Sequence, residues 1–151
     1  EERLLKLSSK YFGEIEYQEE DVLTFPKGLF AFEEETKFLL LPFSGSSGTL
    51  LCLQSIATPQ LAFVVMNPFS LDGSYAPVLQ PEELEYLGVK DSTELCYYVL
   101  CGVKNPVSSS TVNLQCPIAI NDRICTCMQV ILEDDRYSMR HLLSEFQAKE
   151  G

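Results

Sequence analysis

The sequence predicts an all-β protein, a small antiparallel barrel in a single domain. Short runs rich in β-branched and aromatic residues recur between Gly, Pro, Asn and Ser, a spacing typical of strands joined by turns. The runs FLLL (38–41) and LCYYVLCGV (95–103) show little polar alternation, so we expect their strands to be covered on both faces. A folded sandwich would also cover them, but closure into a barrel removes the exposed strand edges as well. A length of 151 residues, 46% apolar and 22% charged, fits one globular domain.

The strand pattern predicts an order of elements along the chain. SGSSG at 44–48 is a flexible connection of hairpin length, so the strands on either side of it are predicted to pair antiparallel. The nine predicted strands are residues 14–17, 22–25, 37–41, 49–54, 62–67, 95–103, 111–115, 118–121 and 124–132.

Two helices interrupt the strands. PEELEYLG at 81–88 begins with Pro, carries acids in its first turn, where the helix dipole favours them, and ends at Gly. A C-terminal helix is predicted over 138–149, with a face that we expect to pack on its own domain rather than on a partner. Apolar residues recur there at helical spacing: Met139, Leu142, Leu143 and Phe146.

The first ten residues, EERLLKLSSK, lack the long apolar core and cleavage site of a secretory signal. We interpret 1–10 as a leader or an expression remnant, ahead of one domain at 11–151. The longest apolar stretches are far below the roughly 20 residues that span a bilayer, so no membrane segment is predicted. Without an export signal we expect a cytoplasmic protein whose six cysteines stay reduced.

The chain is strongly acidic, with 11 basic against 22 acidic residues and a net charge of −11. This charge disfavours direct binding to nucleic acid and to anionic membranes. It serves solubility in many proteins, but an acidic surface also steers basic protein partners. The densest group is our candidate for electrostatic contact with a partner: Glu14, Glu16, Glu19, Glu20 and Asp21.

Catalytic motifs are missing from the sequence. It has one histidine, His141, on the predicted terminal helix, and none of the GxSxG, HExxH, SxxK or Walker patterns. Its glycines do not form a GxGxxG phosphate loop. We therefore predict no catalytic residue, no metal site, no cofactor and no enzymatic activity.

The cysteines leave one alternative open. Cys125 and Cys127 form the only close pair, and on a strand residues two apart point to the same face. Together with Cys96 or Cys101 they would form the site of a thiol- or zinc-dependent enzyme. The pair alone would form a redox switch. Without a second CxxC-like pair or nearby His ligands, we prefer the interpretation that they are small buried apolar residues.

Two proline motifs at strand ends are our candidate partner-facing sites. MNPF places Asn67 before Pro68 and Phe69, which ends a strand in a turn. In NLQCPIAIN, Pro117 marks an edge, a bulge or a strand break, since proline cannot donate to a ladder. Asn113 and Gln115 share one side of the strand before it, where they either bond loop backbone or meet a partner.

The order of these motifs resembles the bacterial family of the flagellar assembly factor FliW. The resemblance runs from about Tyr11 to His141 and rests most on FPKGL, LQS with AFVVMNPF, and NLQCPIAIN. Three positions depart from the family pattern: Ala31 stands for Gly in FPxGLxGF, Cys116 for Ala in NLQAPIxIN, and Leu142 for a common Pro after RH.

The resemblance implies a non-enzymatic β-barrel protein of the cytoplasm with two protein partners. In that family the protein binds flagellin. When flagellin is exported, it binds the RNA-binding regulator CsrA and relieves CsrA's repression of flagellin mRNA. An acidic partner would suit CsrA, because a protein that holds RNA must carry a basic surface.

Overall fold

The computed structural model describes residues 3–45 and 49–147, in which strands predominate. The strands are β1 (Leu4–Ser9), β2 (Gly13–Gln18), β3 (Leu23–Thr24), β4 (Lys37–Pro42), β5 (Leu50–Ser55), β6 (Ala62–Met66), β7 (Cys96–Gly102), β8 (Thr111–Val112), β9 (Ile118–Asn121), β10 (Thr126–Gln129) and β11 (His141–Leu142). The α-helices are α1 (Pro81–Leu87) and α2 (Ser144–Gln147).

Seven strands of this part of the chain close into a barrel, which confirms the predicted fold class. Their order is β7, β6, β5, β4, β3, β10 and β9, and β9 pairs back onto β7. The predicted hairpin of β4 and β5 is antiparallel, with Phe38 opposite Ser55. One pairing departs from the antiparallel prediction, since β10 meets β3 in parallel at Thr126 and Thr24. β3 has only two residues, so a single bridge closes the barrel there.

The barrel strands are covered on both faces, as their apolar runs predicted. Inside the barrel Phe25 and Phe38 meet edge to face at 5.2 Å between ring centroids, and both are fully buried. Along β7, Tyr98 packs against this inner core, while Tyr97 and Val99 belong to a second core on the other face. A strand buried on both sides shows no polar alternation because neither face meets water.

The second core, here called the outer core, lies under α1 and the irregular segments around it. Leu87 of α1 is fully buried in it. The predicted helix signals are all used: Gln80 and Glu83 form a capping box, Pro81 opens the first turn, and Gly88 ends the helix at φ 77°.

The predicted C-terminal helix over 138–149 is wrong in its first half. His141 and Leu142 form β11, which pairs with β8, and the helix begins only at Ser144. Strand pairing wins because β8 offers an open edge, and the amide of Leu143 continues the pairing to the carbonyl of Ser110. The predicted apolar stripe is divided: Leu143 and Phe146 pack on the outer core, while Met139 and Leu142 are exposed. Residues 148–149 of the predicted helix lie outside the described residues.

Other strand boundaries differ from the prediction. Residues 4–9, placed ahead of the domain by the sequence, form β1 and pair along their length with β2. β8 ends at Val112 rather than at residue 115, and β10 is limited to Thr126–Gln129. Within the described ranges, no helix is long and apolar enough to cross a membrane.

Candidate partner-binding surfaces

The MNPF corner turns the chain out of β6. The side-chain oxygen of Asn67 accepts a hydrogen bond from the amide of Phe69 at 2.9 Å, and Pro68 opens a single 3-10 turn. Pro68 is buried, whereas Phe69 keeps 42% of its surface exposed. Asn67 and Pro68 therefore hold the corner, and Phe69 is its exposed apolar residue.

Phe69 lies at a groove of about 700 Å³. One wall is the extended segment 75–79, in which Tyr75, Pro77 and Leu79 are buried and Ala76 and Val78 are exposed. The turn at 90–95, between α1 and β7, also lines the groove, and its Ser92 hydroxyl accepts a hydrogen bond from the amide of Leu79 at 3.0 Å. The groove is thus a concave apolar surface of the kind that binds ligands or peptide side chains.

Three tyrosines form the aromatic cluster behind Phe69. The Phe69 ring meets Tyr75 at 5.7 Å and Tyr97 at 6.2 Å, and Tyr75 meets Tyr137 at 4.7 Å, all edge to face. The Tyr97 hydroxyl donates to the carbonyl of Ser92 at 2.6 Å, and Ala76 donates its amide to the Tyr137 hydroxyl at 3.0 Å. Each tyrosine ring is therefore held at its polar end.

Burial raises the pKa of two of these hydroxyls. It raises the pKa of Tyr97 to about 12, and burial together with the neighbouring Tyr137 raises the pKa of Tyr75. Removing a buried hydroxyl proton would leave an anion with little solvation. The hydrogen bonds that Tyr75 and Tyr97 donate therefore persist into the alkaline pH range.

The second predicted motif lies behind the cluster. The Asn113 side chain accepts a hydrogen bond from the amide of Cys116 at 2.9 Å, so it takes the loop-backbone role of the two that the sequence left open. Gln115 is half-buried and Pro117 is buried, with its carbonyl accepting from the amide of Val130 at 3.0 Å. This motif meets the groove through Leu114, whose carbonyl accepts the Tyr75 hydroxyl at 2.7 Å.

The predicted acidic group lies on β2 and the turn after it. Glu14 and Glu16 are two apart on β2 and both exposed, with Glu16 opposite Lys6 of β1. A 3-10 turn, Glu19–Asp21, continues the acidic run. Asp21 also accepts a hydrogen bond from the amide of Gln18 at 3.0 Å. The exposed acidic residues of β2 and of this turn are here called the acidic strip, in which the exposed Lys6 of β1 stands beside Glu16.

The acidic turn Glu19–Asp21 and the MNPF corner lie at different ends of the barrel strands. The turn Glu19–Asp21 leads into β3, whose Leu23 is opposite Phe38, and Phe38 is opposite Ser55 at the end of β5. The corner follows Met66, which is opposite Leu50 at the start of β5. The structure therefore brings the two proline motifs together but leaves the acidic turn apart from them.

Cys125 and Cys127 both contact the inner core, but only Cys127 lies on a strand. Cys125 lies in a turn at φ 54°, ahead of β10, whereas Cys127 is buried in the inner core. Burial raises the pKa of the Cys127 thiol, and a protonated thiol is a poor nucleophile and metal ligand. No group of three or more His, Cys, Asp or Glu side chains suited to hold a metal occurs in the described ranges.

His141 has a structural environment on β11. Its Nε2 accepts a hydrogen bond from the amide of Ser138 at 2.9 Å, and its Nδ1 lies 3.1 Å from a carboxylate oxygen of Glu145. Both ring nitrogens are therefore engaged in holding the C-terminal segment.

Sequence reasoning passed over the segment 75–79. In this segment the buried residues Tyr75, Pro77 and Leu79 alternate with exposed residues, although the segment forms no strand. Such an alternation in a sequence predicts a half-buried strand, and it does not indicate a groove wall.

Comparison with known proteins gives a consistent result. The family model described as FliW protein matches residues 6–143. A flagellar assembly factor FliW of Geobacillus kaustophilus is 38% identical over 139 residues, covering 92% of this chain and 95% of the relative. The corresponding protein of Syntrophomonas wolfei is 37% identical over 147 residues, covering 97% and 94%. A crystal structure of the flagellar assembly factor FliW superposes with a TM-score of 0.84 at 37% identity, covering 92% of this chain and 96% of that one.

Proposed function

Because the chain belongs to the FliW family, whose named members are flagellar assembly factors, we propose that it is a non-enzymatic binding protein of flagellar assembly. In this proposal it binds flagellin in the cytoplasm. When flagellin has been exported, it binds CsrA and relieves the repression of flagellin mRNA.

The observation that carries the proposal is the pair of exposed surfaces on the barrel. One surface is the apolar groove at Phe69, and the other is the acidic strip from Glu14 to Asp21. An apolar groove suits a protein segment that buries its side chains on binding. An acidic strip suits the basic surface that an RNA-binding regulator must carry.

The regulation needs only that the two partners exclude each other. One partner can weaken the binding of the other only as far as the second partner's affinity for the free protein exceeds its affinity for the occupied protein. Two partners on one surface would exclude each other sterically, whereas partners on separate surfaces require coupling through the barrel.

Calorimetric titration tests the proposal. The protein is titrated with CsrA and separately with flagellin, and CsrA is then titrated into the flagellin-saturated complex. We expect binding in the first two titrations and a suppressed signal in the third. Absence of binding to both partners at micromolar concentration would overturn the proposal, and undiminished binding in the third titration would overturn the exchange mechanism.

A further inference from the structure

We infer that residues 138–147, here called the strap, form a detachable segment whose docking orders the groove at Phe69. When the strap opens, the groove wall at Tyr75 loosens with it. This inference goes beyond the proposed function and does not depend on it, because it concerns two states of the chain rather than a partner. Two observations carry it: the strap is attached over a short length, and the residues that receive it also hold the groove wall.

The strap is attached to the sheet by a short ladder. Within the described residues, β11 stands at one end of the strand order and pairs with β8 over two residues. The amide of Leu143 adds a hydrogen bond to the carbonyl of Ser110 at 2.9 Å. Leu143 and Phe146 pack on the outer core, but both stay partly exposed. A segment with a short ladder and partly exposed apolar side chains opens at a lower free energy than the strands of a closed barrel.

A path of hydrogen bonds joins the strap to the groove wall. The carbonyl of Ser138 accepts hydrogen bonds from the amides of Leu114 and Gln115 at 3.1 and 3.2 Å. The carbonyl of Leu114 in turn accepts the hydroxyl hydrogen bond of Tyr75 at 2.7 Å. Tyr75 lines the groove, and its ring packs on that of Phe69 at 5.7 Å between centroids. The strap therefore reaches the groove wall through a single residue, Leu114.

Tyr137, the residue before the strap, makes a second connection. Its ring meets that of Tyr75 at 4.7 Å, and its hydroxyl accepts a hydrogen bond from the amide of Ala76 at 3.0 Å. Tyr137 also lines a cleft of about 190 Å³ together with His141 and Phe146 of the strap. The groove wall thus rests on the residue from which the strap continues.

Opening of the strap removes support from the groove wall. The amides of Leu114 and Gln115 would lose the Ser138 carbonyl as their acceptor. A hydrogen bond weakens steeply as its angle departs from linear, so a shift of Leu114 weakens the bond from Tyr75. Two regions that share one opening are coupled, and such coupling is reciprocal. A change at the groove wall must therefore shift the strap as well.

Native-state hydrogen exchange, followed for single amides by NMR on the full chain, tests the inference. The amides of Leu143 and Leu114 report on the strap, and the amide of Ala76 reports on the groove wall. The amide of Leu53 reports on global unfolding, because β5 pairs with a strand on each side. In the wild type we expect the first three amides to share one protection factor, at least about tenfold below that of Leu53.

Leu143→Ala and Leu142→Ala form a matched pair of variants. The two residues are neighbours in the strap, but Leu143 packs on the outer core whereas Leu142 is 45% exposed. Leu143→Ala should lower the protection of the Leu114 and Ala76 amides by the same factor, about tenfold, because it removes apolar contacts that only the docked strap makes. Leu142→Ala should leave both amides unchanged.

Tyr75→Phe tests the coupling from the other side. It removes the hydroxyl that bonds the Leu114 carbonyl, so it should lower the protection of the Leu143 amide in the strap several-fold. If the strap opened alone, the bond from Tyr75 would persist in the open state and the Leu143 amide would not respond. Tyr11→Phe is the control, since its ring is 48% exposed, and it should leave the Leu143 amide unchanged.

Four results would each overturn the inference. In the wild type, strap amides as well protected as Leu53 would show that the strap does not open by itself. An Ala76 amide that Leu143→Ala leaves unchanged would show that the groove wall stays ordered without the strap. Equal effects of Leu143→Ala and Leu142→Ala, or a Leu143 amide that does not respond to Tyr75→Phe, would likewise contradict the coupling.

Discussion

Tyr75 donates its hydroxyl to the backbone carbonyl of Leu114 across 2.7 Å, and this contact joins the groove to the second proline motif. Both residues are buried, at 3% and 1% exposure. Phe69 packs on the same tyrosine ring, so a single side chain connects the two motifs that the sequence singled out separately.

Replacing Tyr75 by Phe should lower the free energy of unfolding by about 1–2 kcal/mol, because the Leu114 carbonyl would lose its buried partner. Urea denaturation measures the change. Tyr11→Phe is the control, since its ring is 48% exposed and water can solvate either side chain. An equal effect of both substitutions would show that the Tyr75 hydroxyl has no special role.

Replacing Ala31 by Gly should stabilise the protein by about 1 kcal/mol. Ala31 has φ 71°, a conformation that glycine adopts without the strain of a Cβ atom. This is the position at which the FPxGLxGF pattern has Gly. Ala57→Gly, in an exposed bend, should instead lower the stability slightly, so a loss in both variants in thermal unfolding would contradict the expectation.

Gly28→Ala should be far more damaging than Gly13→Ala. Both glycines have φ +67°, but a Cβ at Gly28 would lie 2.5 Å from the backbone of Glu33, whereas a Cβ at Gly13 meets nothing within 4 Å. Gly13→Ala should therefore cost only the backbone strain of about 1–2 kcal/mol. Denaturation of both variants in parallel checks this, and similar losses would show that the turn at Gly28 can open without penalty.

The stability contributed by the Cys52 thiol should disappear at alkaline pH. Burial raises the pKa of Cys52 to about 11 from 9.0, so the folded state retains the proton longer than the unfolded chain does. This contribution is complete below pH 9 and is lost as the pH rises towards 11. The stability difference between the wild type and Cys52→Ala should be constant from about pH 6 to 8 and should shrink above pH 9. If this stability difference instead stays constant across both pH ranges, the pKa of the Cys52 thiol is not raised in the folded state.

Under the proposed function, neutralising the acidic strip should slow association with CsrA. Glu14→Gln combined with Glu16→Gln should reduce the association rate several-fold at low salt and have little effect near 1 M salt, because salt screens exposed charges. Glu133→Gln combined with Asp135→Asn removes the same charge from another exposed segment. Stopped-flow mixing measures both rates, and equal slowing by the two pairs would indicate net charge rather than a local strip.

The placement of the candidate residues followed sequence reasoning only in part. Asn67, Pro68 and Phe69 form the predicted corner, but packing buries Pro68, and the exposed Asn67 uses its side-chain oxygen to cap the turn. The groove depends on contacts between residues far apart in the chain, such as Phe69 with Tyr97. Local patterns carry no information about such contacts.

The sequence by itself predicted most of the strands, the helix α1 and the all-β fold class. These depend on local signals: apolar runs, turn residues, and the Pro, Glu and Gly that begin and end α1. Only the tertiary structure decided that His141 and Leu142 form a strand, that Cys125 lies in a turn while Cys127 lies on β10, and that the MNPF corner opens a groove. The physical reason is that the free edge of β8, the closure of the barrel and the walls of the groove arise only when distant segments pack together.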